Sequence, residues 1–208
     1  KYRPFLVKEE KLLLTAMEGG DETAMIPAVK QIINNCVQGE LDVEKLPTFD
    51  IEYLFLRLRA KSVGEKVTLG LKPWGCPKNN GELCENSTQV EINLEEVKVI
   101  KNDKHSNKIM LDDKIGIKLS YPDLSKLGKV DKIDTAESGM DIIKDCIDMI
   151  FTEEETFEKD TFDDKELDEF IESLNTQQFT KIKDFFDTMP VLKHTAKYKC
   201  DTCGEKKE

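Results

Sequence analysis

The sequence contains no apolar run approaching the ~18–20 residues that a membrane-spanning helix needs. It also lacks the charged-then-apolar start of a secretory signal. Both absences predict a soluble intracellular protein that makes no use of a membrane. Nucleotide and hydrolase signatures are missing too: there is no GxGxxG, Walker loop, HExxH or GxSxG. Two histidines, His105 and His194, cannot be placed in a recognisable triad. Aromatic residues make up only 7%, and no stretch interleaves them with basic residues as single-strand nucleic-acid binders do. A net charge of −11 works against wrapping a polyanion, because phosphate contacts need lysine and arginine. An enzyme and a general nucleic-acid binder are therefore disfavoured before any residue is singled out.

Of the 208 residues, 38% are hydrophobic and 35% charged. Long segments bearing Ile, Leu and Phe still recur, so the chain reads as folded, with a heavily solvated surface. The acid is concentrated in "FTEEETFEKDTFDDKELDE", from Phe151 to Glu169, which reads as a solvated linker and helix start.

Six cysteines in a chain without a secretory signal favour reduced thiols or a metal over a disulfide framework. Cys36 lies on the stripe Ile32, Ile33, Cys36, Val37, and Cys146 on the stripe Ile142, Ile143, Cys146, Ile147, Ile150. Both follow helical spacing, so both are assigned to core. Cys76, Cys84, Cys200 and Cys203 remain. Four thiolates close a tetrahedral structural zinc site. Cys200 and Cys203 form a CxxC followed by Gly204 at the end of a strand-like run, where glycine lets the chain turn around the sulfurs. Cys76 and Cys84 flank a loop rich in turn formers, Pro77, Asn79, Asn80 and Gly81. A hairpin loop meeting a terminal CxxC predicts a zinc ribbon split by a long insertion. A redox pair would need the first cysteine at a helix N-terminus, whereas only "GEKKE" follows the CxxC. Two unrelated surface thiols are the alternative reading of Cys76 and Cys84. His105 and His194 are spare ligands, read first as ordinary polar residues. Trp74 is expected to be a lid over the cysteine loop, with a nucleobase platform as the alternative.

The pattern predicts helices over 7–18, 22–37 and 49–61. Gly19 and Gly20 stop the first, Asp21 caps the second, and Pro27 marks a kink or fresh start in it. The third carries so broad an apolar face, Ile51, Leu54, Phe55 and Leu58 with Tyr53 and Leu56, that it should be nearly buried. Alternation then predicts antiparallel strands in "EKVTLGLK", "TQVEINLEEVKVIKN" and "NKIMLDDKIGIKLSYP". "TAESGMDIIKDCIDMI" returns to helix. Two more helices meet near Asn175 and stop at Pro190, and "VLKHTAKYK" is a strand delivering the CxxC. The expected fold class is α+β, an antiparallel sheet with several packed helices. Its parts are a helical segment over 1–64, strands with the cysteine loop over 65–135, and a helical segment ending in the CxxC over 136–208. "IINNCV" and "IIKDCI" form a short internal echo, which would make the two cysteine pairs pseudo-equivalent knuckles meeting at one metal.

"YRPFLVKEEKLLL", "LPTFDIEYLFLRLRAKSVGE" and "MPVLKHTAKYKCDTCG" resemble the baseplate hub family of T-even-type contractile-tailed bacteriophages. The resemblance runs from Tyr2 to Gly204 and is most specific over 3–14 and 46–65. Members of that family pair a mid-chain cysteine loop with a late CxxCG. The gap between Cys76 and Cys84 is longer than their usual spacing. They often continue into a short apolar tail that this sequence lacks, so the sequence reads as a portion of a longer product. The resemblance implies a non-catalytic, late morphogenesis protein, a hub subunit or hub assembly factor. It would act through contacts with other baseplate or tail proteins, in the host cytoplasm during assembly or in the virion baseplate. The alternative is a zinc-ribbon nucleic-acid-binding phage accessory factor, and a metal-dependent enzyme is a third, which would need an open metal position.

Overall fold

The computed structural model describes residues 1–18, 22–123 and 136–208. The Gly19–Gly20 stop and the Asp21 cap expected from the sequence lie outside the described residues. Helix α1 spans Val7–Glu18, α2 Glu22–Cys36 and α3 Thr48–Val63. Pro27 sits inside α2 without dividing it. Helix α3 starts directly after Pro47, whose carbonyl accepts from the amides of Asp50 at 3.0 Å and Ile51 at 3.2 Å. It stops at Gly64, which takes a positive φ of 129°. Buried Ile32, Ile33, Cys36, Val43, Ile51 and Leu58 form one core, with Leu54 and Phe55 half-buried at its edge. Helix α3 is thus less enclosed than its apolar face suggests. The N-terminal arm is tied in by the Arg3 amide on the Cys36 carbonyl at 2.9 Å and the Phe5 amide on Ser62 Oγ at 2.7 Å. The Phe5 and Phe55 rings lie 5.9 Å apart. The two segments most specific in the resemblance therefore pack on each other.

The strands do not build the single sheet that alternation suggests. Among the described residues they form four antiparallel sheets: β1 (Lys66–Leu71) with β2 (Thr88–Asn93), β3 (Lys98–Ile100) with β8 (Val191–Lys193), β9 (Tyr198–Lys199) with β10 (Lys206–Lys207), and a four-stranded sheet. The run read as one strand from Thr88 to Asn102 breaks because Asn93 turns the chain. Its side-chain oxygen accepts the Glu95 amide at 3.0 Å, and its carbonyl accepts the Glu96 amide at 3.1 Å.

The four-stranded sheet runs β4 (Lys108–Met110), β5 (Ile115–Leu119), β6 (Ile147–Thr152), β7 (Thr156–Glu158). Helix α4 covers only Ala136–Cys146, and the chain passes straight into β6. The expected helix through Ile150 is wrong for a local reason. In the β5–β6 pairing Leu119 faces Ile147 and Lys118 faces Met149, so Asp148 is an extra residue, a β-bulge. The bulge places Ile147 and Ile150 on one face three residues apart, which imitates helical spacing. They pack with Ile117, Leu119 and Ile143 into a second core, completed by Leu167, Ile171, Ile182 and Phe185. Cys146 is buried at the junction. The two echo segments, "IINNCV" and "IIKDCI", behave alike: α2 ends at Cys36 and α4 at Cys146, and the next residue enters β pairing, Val37 in an isolated bridge with Tyr2 and Ile147 at the start of β6.

The acid run is more ordered than a linker. It holds the end of β6, all of β7 and the start of α5 (Asp164–Ser173). Helix α6 spans Thr176–Thr188. Both helices begin with reciprocal capping, Asp163 with Glu166 and Asn175 with Gln178, which satisfies amides a helix start leaves open.

Candidate metal centre

Two small hairpins carry the four remaining thiols. Strands β1 and β2 pair from Lys66↔Asn93 to Leu71↔Thr88, and the loop beyond that end bears Cys76 and Cys84. The turn at Cys76 is closed by its carbonyl, which accepts from Asn79 at 3.0 Å and Gly81 at 2.9 Å. Asn80 and Gly81 take the left-handed region, φ 51° and 84°, which suits these residue types. The second hairpin sets Lys199 opposite Lys206, with Cys200 and Cys203 in its loop. There the Gly204 amide donates to the Cys200 carbonyl at 2.8 Å, at a φ of 80°. Each hairpin thus ends in a tight knuckle built by turn residues adjacent to a cysteine.

The knuckles face each other. Cys84 Sγ lies 3.3 Å from Cys200 Sγ and 3.9 Å from Cys203 Sγ. The sulfurs of Cys76, Cys84 and Cys203 all lie within 4.8 Å of one another. No cysteine is in a disulfide. Four sulfurs at ~2.3 Å from a tetrahedral zinc would sit ~3.8 Å apart, a value the two sulfur separations from Cys84 bracket. Cys76, Cys84 and Cys200 are buried and Cys203 is half-buried. The donor set, four thiols in two turns, could hold a thiophilic divalent cation such as zinc.

The electrostatics of the cluster are uneven. Hydrogen bonding from the Cys203 amide, and then from Cys84, Thr88 and the Thr202 amide, lowers the Cys200 thiol to about 6 against the desolvation that would raise it. Burial, followed by its sulfur neighbours, pushes the Cys84 thiol up. Cys200 is thus favoured as a thiolate, while burial and the neighbouring thiols oppose ionising Cys84 unless a cation accompanies it.

Contacts between the hairpins reinforce the arrangement. Thr88, which is buried, accepts the Asp201 amide on its hydroxyl at 2.9 Å and donates toward Cys200 Sγ at 3.7 Å. Lys78 Nζ donates to the Thr202 carbonyl at 3.2 Å, and Lys207 Nζ to the Gly75 carbonyl at 3.2 Å. Sequence reasoning missed Thr88, since a threonine opening a strand carries no signal of what it will face across the fold.

Other expected residues lie elsewhere. Trp74 is 70% exposed and is not a lid over the thiols. His105 clusters with Tyr121 and Phe185, ring centroids 5.6 and 5.0 Å away, with Nδ1 3.0 Å from Thr188 Oγ1 and Nε2 3.0 Å from the Tyr121 hydroxyl. It borders a cleft of about 720 Å³ with Phe49, Tyr53 and Pro190. His194 is half-buried on another groove, beside Leu71, Ile92 and Tyr198. Among the described residues, neither histidine joins the thiol cluster. No helix among them is long and apolar enough to cross a membrane.

A family model described as T4 bacteriophage base plate protein matches residues 1–208. No curated protein and no solved structure matches the chain.

Proposed function

This chain belongs to the T4 bacteriophage base plate protein family, and we propose that within the baseplate it is a hub subunit or hub assembly factor. In this reading it acts by protein–protein contacts, without turnover of its own, on a scaffold stiffened by one structural zinc held by Cys76, Cys84, Cys200 and Cys203. The observation that carries the zinc is the meeting of Cys84 and Cys200 at 3.3 Å across 116 residues of chain. When bound, zinc would supply folding free energy by tying that long loop shut. The residues themselves do the positioning: the two turns aim the sulfurs, and Thr88 and Lys78 bind one hairpin to the other. A closed set of four thiolates leaves no open coordination position for substrate, which supports a scaffold role over a metal-dependent enzyme. Its partners are other baseplate or tail proteins, met in the host cytoplasm during assembly or in the virion baseplate.

A zinc-ribbon nucleic-acid-binding accessory factor is the second reading. The exposed indole of Trp74 favours it, and the net charge of −11 opposes it. Purification from infected cells separates the two. An assembly protein co-purifies with tail proteins, and phage lacking it form defective tails in micrographs. Normal tails without the chain, or a nucleic-acid complex lost on raising salt, would overturn the assembly role.

A further inference from the structure

The terminal hairpin places like charges against each other. Its register puts Lys199 directly opposite Lys206, an arrangement that destabilises a two-stranded ribbon. Lys197, Lys199 and Lys206 are exposed, and among the described residues none of the three makes an ion pair. Lys207 differs, since its ammonium is held by the Gly75 carbonyl at 3.2 Å and Glu205 at 3.8 Å. The lysines line a hollow of about 470 Å³ with Tyr198 and Glu208. Trp74 adjoins Gly75, so the bond from Lys207 brings the hairpin to the backbone beside a 70% exposed indole. This concentration of cation stands in a chain of net charge −11.

We propose that this lysine-faced hairpin is a docking surface for an acidic segment of another protein. The proposal rests on the reading of the chain as an assembly protein and names the chemistry of its partner. Uncompensated like charges are retained at a cost in stability, and an anionic partner removes that cost. Three unpaired lysines match a short acidic segment. A nucleic acid would set a run of phosphates against the acidic remainder of the molecule, and tight phosphate binders use about 6–10 cationic contacts. The exposed Trp74, next in sequence to the Gly75 carbonyl that holds Lys207, suits a protein partner, where such residues anchor interfaces.

The test uses the full chain and a labelled glutamate-rich peptide containing one phenylalanine, with labelled oligothymidylate as the competing probe. The label on the peptide reports occupation by anisotropy. The peptide should bind in a salt-sensitive manner. Lys199→Gln/Lys206→Gln should weaken binding about tenfold, while its melting temperature equals or exceeds that of the unaltered chain. The opposite signs of the two effects separate a docking role from a folding one. Unchanged affinity in that variant, no peptide binding, or tighter lysine-dependent binding of oligothymidylate would overturn the proposal. If the peptide fails to bind while the chain still co-purifies with tail proteins, the docking surface falls and the assembly role stands. If it binds as expected while phage lacking the chain build normal tails, the assembly role falls and the surface stands.

Discussion

Arg3 and Glu9 form a two-pronged ion pair, with Nη2 2.9 Å from Oε1 and Nη1 3.3 Å from Oε2, around a carboxylate that has no exposure to solvent. The same carboxylate accepts the Leu6 amide at 2.8 Å, one of the donors that the start of α1 leaves open. It also accepts from Asn35 Nδ2 at 3.3 Å, on α2. One buried acid thus joins the N-terminal arm, α1 and α2, and gives the "YRPFLVKEEK" segment a structural reason for its residue types.

Removing only one partner of this pair should be costly. Arg3→Met strips the buried Glu9 of its two-pronged partner and leaves only Lys8, 3.5 Å away, as a cation, with an expected loss of about 3 kcal/mol. Arg3→Met/Glu9→Leu should recover a large part of that loss, because no charge then remains inside. Urea denaturation of the two variants checks the order, and equal losses would contradict it.

Acid should release the same interaction. The hydrogen bonds from Arg3, opposed by burial and aided by the Leu6 amide, hold Glu9 at about 2, against an ordinary value of 4.5. A folded pKa below the unfolded one stabilises the protein fully above the unfolded value. That contribution should fade as pH falls from about 4.5 toward about 2. Glu9→Gln should show a shallower loss of stability over this window in denaturation curves recorded at successive pH values.

Metal analysis should find about one zinc per chain, with Zn–S distances near ~2.3 Å by X-ray absorption. Cys203→Ser should abolish stoichiometric zinc and lower the melting temperature or the soluble yield. Cys36→Ala should keep the zinc and behave as a modest core change, since Cys36 packs in the separate cluster with Ile32 and Ile33. Chelation of the unaltered protein should reproduce the Cys203→Ser behaviour. Equal, mild effects from both substitutions would contradict the assignment.

Thr88→Val tests the contact between the hairpins. It preserves shape but leaves the Asp201 amide without the hydroxyl that accepts it at 2.9 Å, and removes the donor beside Cys200. The expected loss is about 1–2 kcal/mol of stability and about tenfold in zinc affinity, read by competition with a chromogenic chelator. Serine at this position should restore most of both.

Leu58 has no exposure and lies in the core formed by α2 and α3. Leu58→Asp buries an unpaired charge, so a loss above about 4 kcal/mol or failure to fold is expected. The same change at half-buried Leu54 should be milder. Circular dichroism during thermal unfolding distinguishes them.

Much of the local structure was legible in the residue order. Asp163 with Glu166 and Asn175 with Gln178 announce two helix starts, because a cap is made within four residues. Val67, Leu69 and Leu71 announce a strand through alternation, and the turn formers around Cys76 announce a loop. Ile147 and Ile150 misled because a bulge at Asp148 gives a strand the spacing of a helix. Trp74 misled because adjacency in sequence to Cys76 does not fix which way an indole points.

The sequence by itself determined where helices and turns begin, which thiols sit in turns rather than on apolar stripes, and the acidity of the surface. Each of these depends on neighbours a few residues apart, whose energetics are the same in a short peptide. The tertiary structure alone decided that the strands divide among separate sheets and that Cys84 meets Cys200. It alone decided that Thr88 closes on the Asp201 amide and that Glu9 is enclosed with Arg3. Those outcomes depend on which distant surfaces win the competition for burial and for hydrogen-bond partners. That competition is settled by the packed whole, and no local pattern encodes it.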